Sequence, residues 1–208
     1  MLTVALSKGY LLDEAMQLFA KVGIEVPYKK EELSRKLEFY DVTGHYRFLA
    51  IRPTDVPVYV ECGAADIGVS GRDVILEGEH KVAQLLDLKF GYCRLATAGV
   101  KGKFTPDSYF SGMRVATKFV NSASTFFKQR GIDIELIKLY GSVELAPLDG
   151  LSDIIVDLVA TGRTLKEHGL EVIEPIYDTT ARLIANSVKV KTKYEEIMDI
   201  TRRIQKHV

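Results

Sequence analysis

The chain has 208 residues, of which 47% are hydrophobic and 27% charged, a composition that is typical of globular proteins and excludes a disordered chain. Lysine plus arginine number 28 and aspartate plus glutamate also 28, so no overall field attracts a nucleic acid or an anionic membrane, and any anion site must be local. Lys8 interrupts the apolar run at residues 2–6 too early for a signal peptide or a membrane span, which predicts a cytoplasmic protein.

Cysteine and histidine offer no obvious chemistry. Cys62 and Cys93 lack the spacing of a metal or redox site, and such cysteines are usually reduced and partly buried. The histidines are scattered along the chain, so we expect no catalytic metal held by imidazole. The sequence also contains no convincing Ser-His-Asp or Cys-His arrangement for covalent catalysis.

The first half of the chain predicts the opening of an α/β lobe. Residues 2–6 form a predicted strand, and after a turn the apolar residues recur every three or four positions over 11–22, as in an amphipathic helix that ends at Gly23. A charge run at 29–36 is typical of a solvated helix face. The next predicted elements are a strand at 48–51 and a helix at 54–63.

Two aspartates mark a weak internal repeat. Asp66 leads an apolar strand that ends in a turn of Gly71 and Arg72, and Asp153 leads a second apolar strand that runs into another glycine-arginine turn. The repeat predicts an α/β fold of two similar lobes around a cleft. The alternative is that two unrelated strands share the pattern by chance.

The second half of the chain predicts further strands and helices. Asn121 and Ser122 are expected to cap a helix at 124–130. Thr192 and Glu195 have the spacing of a capping box, which predicts a last helix whose apolar stripe packs on the first lobe. The predicted strands are 82–88, 92–98, 113–117, 134–139, 170–176 and 181–190, with a polar loop at 99–112.

The most informative stretch is the connection from an apolar strand, 154–156, to a short helix. Its residues, in order, are Asp157 at the strand end, Ala160, Thr161 and Gly162 in the turn, and Arg163 and Thr164 at the helix start. A turn into a helix N-terminus leaves several backbone N–H groups pointing one way, at the positive end of the helix dipole. Two threonine hydroxyls, an arginine charge and a glycine that lacks Cβ add to this site, which therefore suits a phosphate.

Asp157 extends the prediction beyond phosphate. A carboxylate does not bind phosphate, so Asp157 is expected to accept hydrogen bonds from sugar hydroxyls or to help hold a metal. Phosphate, sugar and acid together indicate a phosphoribosyl group. The alternative is an ordinary strand-to-helix connection, in which glycine and threonine serve only as turn and cap residues.

Seven segments carry a resemblance to a known family. They are VALSKG (4–9), VPVYVE (56–61), ADIGVSG (65–71), RVATK (114–118), GSVELAP (141–147), DGLSDIIVDLVATGRTLKEHGL (149–170) and TTARLIANS (179–187). Together they resemble the signature segments of ATP phosphoribosyltransferase, which joins ATP to phosphoribosyl pyrophosphate in the first step of histidine biosynthesis. The matches are collinear over nearly the whole chain, which makes the resemblance specific.

The resemblance implies a fold, a division of the chain and a chemistry. The two lobes are expected to be similar to those of type II periplasmic binding proteins. Lobe I would comprise 1–90 and 177–208, and lobe II would comprise 91–176 and carry the phosphoribosyl pyrophosphate loop. In the implied reaction N1 of the ATP adenine attacks the ribose, so no covalent nucleophile is needed. Mg²⁺ is the implied cofactor, and substrate oxygens would supply part of its ligands.

The resemblance also implies partners. The long form of the family has a further C-terminal domain that binds histidine, whereas this chain stops after its last predicted helix. It therefore resembles the short form. That form is expected to be a homodimer within a hetero-oligomer that contains a regulatory subunit similar to histidyl-tRNA synthetase.

The expected site residues combine the resemblance with positions in the predicted elements. The expected catalytic residues are Arg52, Glu144 and Asp157, and the expected phosphoribosyl pyrophosphate contacts are Asp157, Ala160, Thr161, Gly162, Arg163 and Thr164. The expected ATP contacts are Lys8, Gly9, Arg35 and Gly71, and Asp178 is a candidate for a metal or ribose contact.

Several of these residues have an alternative interpretation. Glu144 is favoured in the first turn of a helix by the dipole alone, and Lys118 either faces the cleft or is an ordinary exposed lysine. Tyr10 stands where the family usually has arginine, and it either stacks on a base or packs against the protein. The fold itself also suits a solute-binding or sensor module, and a phosphoribosyltransferase with another acceptor is a further hypothesis.

Overall fold

A computed structural model describes residues 1–33 and 35–208 of the chain. It contains two compact units: unit 1 comprises Met1–Gly91 and Thr180–Val208, and unit 2 comprises Tyr92–Thr179. Sequence patterns place the two crossings after residues 90 and 176. The chain returns to unit 1 later than that because the strand pairing of Thr179 with Cys93 keeps it in unit 2.

Strands and helices are interspersed along the part of the chain that the structure describes. The strands are β1 (Leu2–Ser7), β2 (Glu38–Tyr40), β3 (Tyr46–Ile51), β4 (Ile67–Gly71), β5 (Ala83–Asp87), β6 (Cys93–Val100), β7 (Met113–Thr117), β8 (Ile134–Lys138), β9 (Ile154–Val159), β10 (Leu170–Thr179) and β11 (Ala181–Ala185). The helices are α1 (Tyr10–Lys21), α2 (Lys30–Leu33), α3 (Val56–Glu61), α4 (Arg72–Glu77), α5 (Val120–Lys128), α6 (Arg163–Glu167), α7 (Lys189–Thr192) and α8 (Tyr194–Gln205). Short 3-10 turns lie at Pro53–Asp55, Pro106–Ser108 and Val143–Leu145. Among these described helices, none has both the length and the apolar surface that a bilayer crossing requires.

The two units contain sheets of the same design. In unit 1 the strand order is β2-β3-β1-β4-β11-β5, and in unit 2 it is β8-β7-β9-β6-β10. Each sheet has three parallel strands, β3-β1-β4 or β8-β7-β9, followed by two strands that run antiparallel to their neighbours. The prediction of two similar α/β lobes is therefore confirmed.

The repeated aspartates have the same structural function in both units. Asp66 precedes β4, and its Oδ2 accepts the N–H of Thr3 in β1 at 2.8 Å. Asp153 precedes β9, and its Oδ2 accepts the N–H of Arg114 in β7, also at 2.8 Å. Each aspartate thus joins the beginnings of two adjacent parallel strands, which explains the repeat in physical terms.

Each unit has its own hydrophobic core. In unit 1 the ring of Phe48 packs edge-on against Phe19 at 5.3 Å between ring centres and stacks on Phe39 at 5.1 Å. Ile197 and Ile200 of α8 belong to the same cluster, so the last helix packs on unit 1 as predicted. In unit 2 apolar clusters cover both faces of the sheet.

Two predicted helix caps are wrong. Helix α5 begins at Val120, so Asn121 and Ser122 lie inside it; Thr117 Oγ1 instead accepts the N–H of Phe119 at 2.8 Å and turns the strand directly into the helix. Thr192 does not cap α8, because it ends α7, where its hydroxyl donates to the carbonyl of Val188 at 3.5 Å.

The predicted strand 181–190 is also too long. Strand β11 ends at Ala185, because the Oδ1 of Asn186 accepts the N–H groups of Val188 and Lys189, both at 2.9 Å, and begins helix α7. The Asn186 amide also donates to the carbonyl of Val60 at 2.8 Å. The asparagine therefore fixes the turn at this point in the fold.

Candidate active site

Unit 2 brings the predicted phosphoribosyl residues together around one cavity. The cavity has a volume of about 170 Å³ and is lined by Glu144, Asp157 and the loop of residues 158–165. The loop joins the end of β9 to α6, at the edge of the sheet where the parallel strands β7, β8 and β9 all end. Ligands of α/β sheets bind at this carboxyl edge.

Gly162 gives the loop its shape. Its φ of 72° lies in the left-handed region, which glycine adopts without strain, and it forms the N-cap of α6. Thr161 and Thr164 are exposed on the loop, and Thr161 Oγ1 accepts the N–H of Arg163 at 3.4 Å. The first turn of α6 directs N–H groups toward the loop, as a phosphate site requires.

The side chain of Arg163 is not free to bind a phosphate, because it is paired with Glu167. Its side chain is 83% exposed, and its Nε donates to Glu167 one helical turn later at 2.7 Å. The guanidinium therefore lies along the outer face of α6 in this structure. The positive character of the loop comes first from its backbone N–H groups.

Asp157 lies near the end of β9, half-buried beside the cavity. Its Oδ1 accepts the N–H of Leu158 at 2.9 Å. Burial raises the pKa of the Asp157 carboxyl and the charge of Glu144 raises it further, whereas the Leu158 N–H and the charge of Lys118 oppose the rise. A carboxylate in this setting is a strong acceptor for sugar hydroxyls.

Glu144 reaches the same cavity from the 3-10 turn Val143–Leu145. The turn follows Ser142, whose φ of 50° is left-handed, and it is anchored by Val143, which is 2% exposed. The half-buried Glu144 lines the same cavity as Asp157, and its role there stays a prediction beside the helix-dipole alternative.

Unit 1 gathers most of the predicted ATP residues at the carboxyl edge of its own sheet. Ser7 pairs with Ile51 at the ends of the parallel strands β1 and β3, and the N–H of Lys8 donates to the carbonyl of Ile51 at 2.8 Å. Lys8 and Arg52 therefore follow the ends of adjacent strands. Gly71 ends the third parallel strand, β4, at the same edge.

Gly9 and Arg35 complete the unit 1 set in different ways. Gly9 has a φ of 90° and open space where a Cβ would stand, which leaves its backbone accessible to a ligand. Arg35 lies in the turn between α2 and β2, with an exposed side chain and its N–H donating to the carbonyl of Glu32 at 3.2 Å. Lys8, Gly9, Arg52 and Gly71 therefore lie at the carboxyl edge of the unit 1 sheet. Arg35 does not follow the end of one of its parallel strands.

Asp178 is placed in an ion pair. Its Oδ1 accepts from Arg94 Nε at 2.7 Å and from the Tyr92 hydroxyl at 3.0 Å. The Arg94 hydrogen bond, with that of Tyr92, lowers the pKa of the Asp178 carboxyl. In residues 1–33 and 35–208 no three histidine, cysteine, aspartate or glutamate side chains are placed to hold a metal, so the metal role of Asp178 stays a prediction.

Sequence reasoning missed a second cavity beside the loop of residues 158–165. It measures about 360 Å³ and shares residues 159–162 and Leu165 with the first, with Tyr92, Arg94 and Lys166 among its other lining residues. Tyr92 and Arg94 meet the loop because β6 and β9 are antiparallel neighbours with Arg94 opposite Val159, a pairing that the sequence alone does not reveal.

The fold defines the class of the protein before any relative is considered: a two-unit α/β protein with charged residues at the carboxyl edges of both sheets. A solved structure with this architecture, the probable amino-acid ABC transporter extracellular-binding protein of Bacillus subtilis, aligns with a TM-score of 0.56. At 12% identity over 98% of this chain and 94% of that one, the likeness is one of fold alone.

Sequence comparisons identify the family. The family model of ATP phosphoribosyltransferase matches residues 52–206. The ATP phosphoribosyltransferase of Caldanaerobacter subterraneus subsp. tengcongensis is 50% identical over 98% of this chain and 95% of its own length. That of Geobacter metallireducens is 46% identical over 100% and 98%, respectively. The solved ATP phosphoribosyltransferase (HisG:HisZ) complex of Thermotoga maritima aligns with a TM-score of 0.84 and 35% identity, covering 99% of this chain and 98% of that one.

The chain therefore belongs to the ATP phosphoribosyltransferase family and is an enzyme of the first step of histidine biosynthesis.

Proposed function

We propose that the residues gathered at the two sheet edges carry out this transfer. The 5-phosphoribosyl group of phosphoribosyl pyrophosphate passes to N1 of ATP, giving phosphoribosyl-ATP and pyrophosphate. The observation that supports the residue assignment is the cavity that joins Asp157, Glu144 and the loop of residues 160–164. In this proposal the loop offers hydrogen-bond donors to the phosphate, and the two carboxylates beside it offer acceptors to the sugar hydroxyls.

In this proposal the loop holds the 5-phosphate of the substrate. Backbone N–H groups from Ala160 to Thr164 and the hydroxyls of Thr161 and Thr164 are its donors. A glycine at position 162 supplies the left-handed turn that brings these N–H groups together. The Arg163 guanidinium, now paired with Glu167, would add charge only after turning from that partner.

Asp157 and Glu144 accept hydrogen bonds from the ribose hydroxyls. Loss of pyrophosphate leaves positive charge on the ribose in the transition state, and two carboxylates beside the sugar stabilise that charge. The protein forms no covalent bond in this scheme. Its contribution is the orientation of the attacking nitrogen and the placement of charge before the reaction begins.

The edge of the unit 1 sheet is proposed to hold ATP. Lys8 and Arg52 follow the ends of adjacent strands and would supply positive charge, Lys8 for the ATP phosphates and Arg52 for the leaving pyrophosphate. Gly9 and Gly71 let a nucleotide approach the backbone closely. Arg35 is also proposed to contact a phosphate, because it corresponds to a basic position of the family.

Mg²⁺ is proposed as the metal of the reaction. The described side chains include no cluster of three acidic or imidazole ligands, and the Asp178 carboxylate is occupied by Arg94 and Tyr92. The residues therefore do not fit an all-protein metal cage. Mg²⁺ typically binds phosphate oxygens and keeps several waters, so it would enter as the complex of phosphoribosyl pyrophosphate.

We also propose that the chain is the catalytic subunit of a hetero-oligomer. The Thermotoga maritima structure is that of a HisG:HisZ complex, and this chain aligns over 98% of the chain in it. A homodimer of this chain, joined to a regulatory subunit similar to histidyl-tRNA synthetase, is the corresponding assembly. Its substrates, ATP and phosphoribosyl pyrophosphate, are metabolites of the cell interior, which agrees with the predicted cytoplasmic location.

The test is mass spectrometry of the purified protein incubated with ATP, phosphoribosyl pyrophosphate, Mg²⁺ and pyrophosphatase. We expect a phosphoribosyl-ATP peak for the wild type and for Asp133→Asn, a control at an exposed aspartate of the same unit. Asp157→Asn should reduce the peak at least about tenfold, equivalent to roughly 1.4 kcal/mol.

A thermal-shift measurement covers the case in which turnover requires the regulatory subunit. Phosphoribosyl pyrophosphate should raise the Tm of the wild type and of Asp133→Asn, because a ligand that binds only the folded state stabilises it. A protein that gives neither product nor a shift in Tm would contradict the proposal and favour a binding module for another solute.

A further inference from the structure

Lys118 and Asp157 follow paired residues of two neighbouring strands in the sheet of unit 2. Strands β7 and β9 are parallel, with Thr117 opposite Val156. The next residues along the two chains are Lys118, the first residue after β7, and Asp157. The lysine therefore stands at the carboxyl edge of the sheet, beside the cavity that holds the two acids.

Lys118 and Asp157 share one face of the sheet. Side chains alternate between the faces of a strand. Ala116 and Ile155, each two positions before the pair in question, pack in the same apolar cluster. Val143, the neighbour of Glu144, belongs to that cluster as well. Alternation thus directs Lys118 and Asp157 to the same side, and Glu144 lines the same cavity as Asp157.

The backbone on both sides of Lys118 is fixed. Thr117 is fully buried, and its hydroxyl donates to the carbonyl of Val156 at 2.6 Å while accepting the N–H of Phe119 at 2.8 Å. The Lys118 ammonium lies 4.9 Å from the centre of the Phe119 ring. A lysine held in this way offers its charge at a defined place.

The charges around Asp157 make this lysine important. Burial and the Glu144 charge raise the pKa of Asp157, whereas the Leu158 N–H and Lys118 lower it. The residue opposite Asp157 in β6 is Ala96, which has no charge. In α6 the Arg163 guanidinium is paired with Glu167. Among the described residues, Lys118 is the positive charge that lowers the pKa of Asp157.

We propose that Lys118 is a positioning residue of the phosphoribosyl site, which keeps the Asp157 carboxylate charged and in place to accept hydrogen bonds from the ribose hydroxyls. The identity of that ligand rests on the proposed function, but the strand register that places Lys118 beside Asp157 is a property of the free protein. A protonated Asp157 would lose acceptor capacity and the negative charge that faces the transition state.

The first test needs no substrate. Aspartate carboxyl carbons are labelled with ¹³C and followed by NMR as pH varies, with Asp157→Asn identifying the signal. Lys118→Met should raise the pH midpoint of Asp157, so that its ionised fraction below the midpoint falls by a factor of about three to ten. Lys118→Arg should restore the wild-type midpoint.

Lys138→Met is the matched control. Lys138 ends the neighbouring strand β8, pairs in register with Thr117, is exposed and has its ammonium 5.5 Å from the Tyr140 ring. It resembles Lys118 in type, exposure and aromatic neighbour, but it does not contribute to the electrostatics of Asp157. Its substitution should leave the Asp157 midpoint unchanged.

The second test is the pH dependence of kcat/KM for phosphoribosyl pyrophosphate, measured with the regulatory subunit present. Lys118→Met should move the acidic limb to higher pH, and Lys118→Arg should return it. An unchanged Asp157 midpoint in Lys118→Met would overturn the proposal, as would an equal loss of kcat/KM at every pH. If the wild type shows no turnover, the proposed function fails, whereas the NMR result still decides the role of Lys118.

Discussion

At the scale of single residues, Asp157 combines two conflicting requirements. Its carboxylate must be charged to accept hydroxyl hydrogen bonds, yet its half-buried position beside Glu144 disfavours that charge and raises its pKa. The folded protein therefore becomes less stable, relative to an uncharged side chain, as pH rises through the pKa of Asp157 in the folded state. The site keeps the carboxylate at a cost in stability.

This conflict predicts opposite effects of Asp157→Asn on activity and stability. Turnover should fall at least about tenfold, whereas the free energy of unfolding at pH about 8 should stay equal or increase. The difference in stability should vanish at acidic pH, where the wild-type carboxyl is itself protonated. Urea unfolding at both pH values, alongside kcat, measures the two effects; a clearly less stable variant at pH about 8 would show that Asp157 is structural.

Asp87 behaves in the opposite way. Burial pushes its pKa upward, but hydrogen bonds from Thr180 and Lys89 and the charge of Arg182 outweigh burial and lower the pKa from 3.8 to about 2. The Thr180 hydroxyl donates to Oδ1 at 2.7 Å, and Arg182 pairs with Oδ2 at 3.1 Å. The ionised carboxylate therefore stabilises unit 1 above pH 3.8, and this contribution disappears as pH falls toward 2.

Asp87→Asn should lower the free energy of unfolding at neutral pH by about 2 kcal/mol, with most of the difference lost near pH about 2. Denaturant unfolding at the two pH values checks this. Asp199→Asn is the control, because Asp199 forms an exposed pair with Arg203 one helical turn away and should change stability by less than about 0.5 kcal/mol. Equal effects of the two variants would contradict the assignment.

At the scale of elements, the loop between β9 and α6 depends on one backbone conformation. Gly162 is left-handed, and the nearest atom to a Cβ built there is Val159 Cγ1 at 3.7 Å, an ordinary contact. A substitution at this position therefore meets conformational strain and no steric clash. The strain would move the N–H groups of the loop from the arrangement that suits phosphate.

Gly162→Ala should raise the KM for phosphoribosyl pyrophosphate roughly tenfold, because left-handed alanine costs about 1–2 kcal/mol and the loop can relax away from it. Gly169→Ala is the matched control. Gly169 has a φ of 70° and open space at its Cβ position, but it follows α6 and does not line the 170 Å³ cavity. Steady-state kinetics of both variants separate the role of the loop from general backbone strain. If Gly162→Ala and Gly169→Ala raised KM equally, the loop would have no special role in binding.

Sequence patterns predicted the order of strands and helices well because apolar periodicity follows burial. Strand β7 was predicted to its exact bounds, 113–117, and the strand-turn-helix around Gly162 has the predicted form. Helix caps were predicted poorly, because Thr117 before α5 and Asn186 before α7 fix the helix starts while bonded to the distant residues Val156 and Val60. Local spacing does not contain that information.

The candidate site shows the same limit. The sequence presents Asp157 and the loop as one strand-to-helix connection with Glu144 as a further candidate, and all three line one cavity in the fold. The orientation of Arg163 toward Glu167, the Asp178 ion pair and the place of Lys118 beside Asp157 all depend on side-chain direction or strand register. A single sequence does not determine these.

At the scale of the whole molecule, the two sheet edges predict separate binding footprints. Phosphoribosyl pyrophosphate should slow hydrogen exchange in residues 157–165 of unit 2. ATP should slow hydrogen exchange around Lys8, Arg52 and Gly71 in unit 1. A bound ligand stabilises the folded state and so reduces the local opening that exchange requires. Hydrogen-exchange mass spectrometry with each substrate alone makes the comparison. Protection by ATP confined to unit 2 would refute the assignment of the unit 1 edge.

The division of unit 1 into two chain segments has a consequence for synthesis on the ribosome. Strand β5 joins its sheet only through β11, which is made after all of unit 2 has emerged. Unit 2 is one continuous segment and contains every strand of its own sheet. Unit 2 should therefore complete its fold before unit 1. Until β11 is synthesised, the sheet of unit 1 has an unpaired strand edge that is open to aggregation.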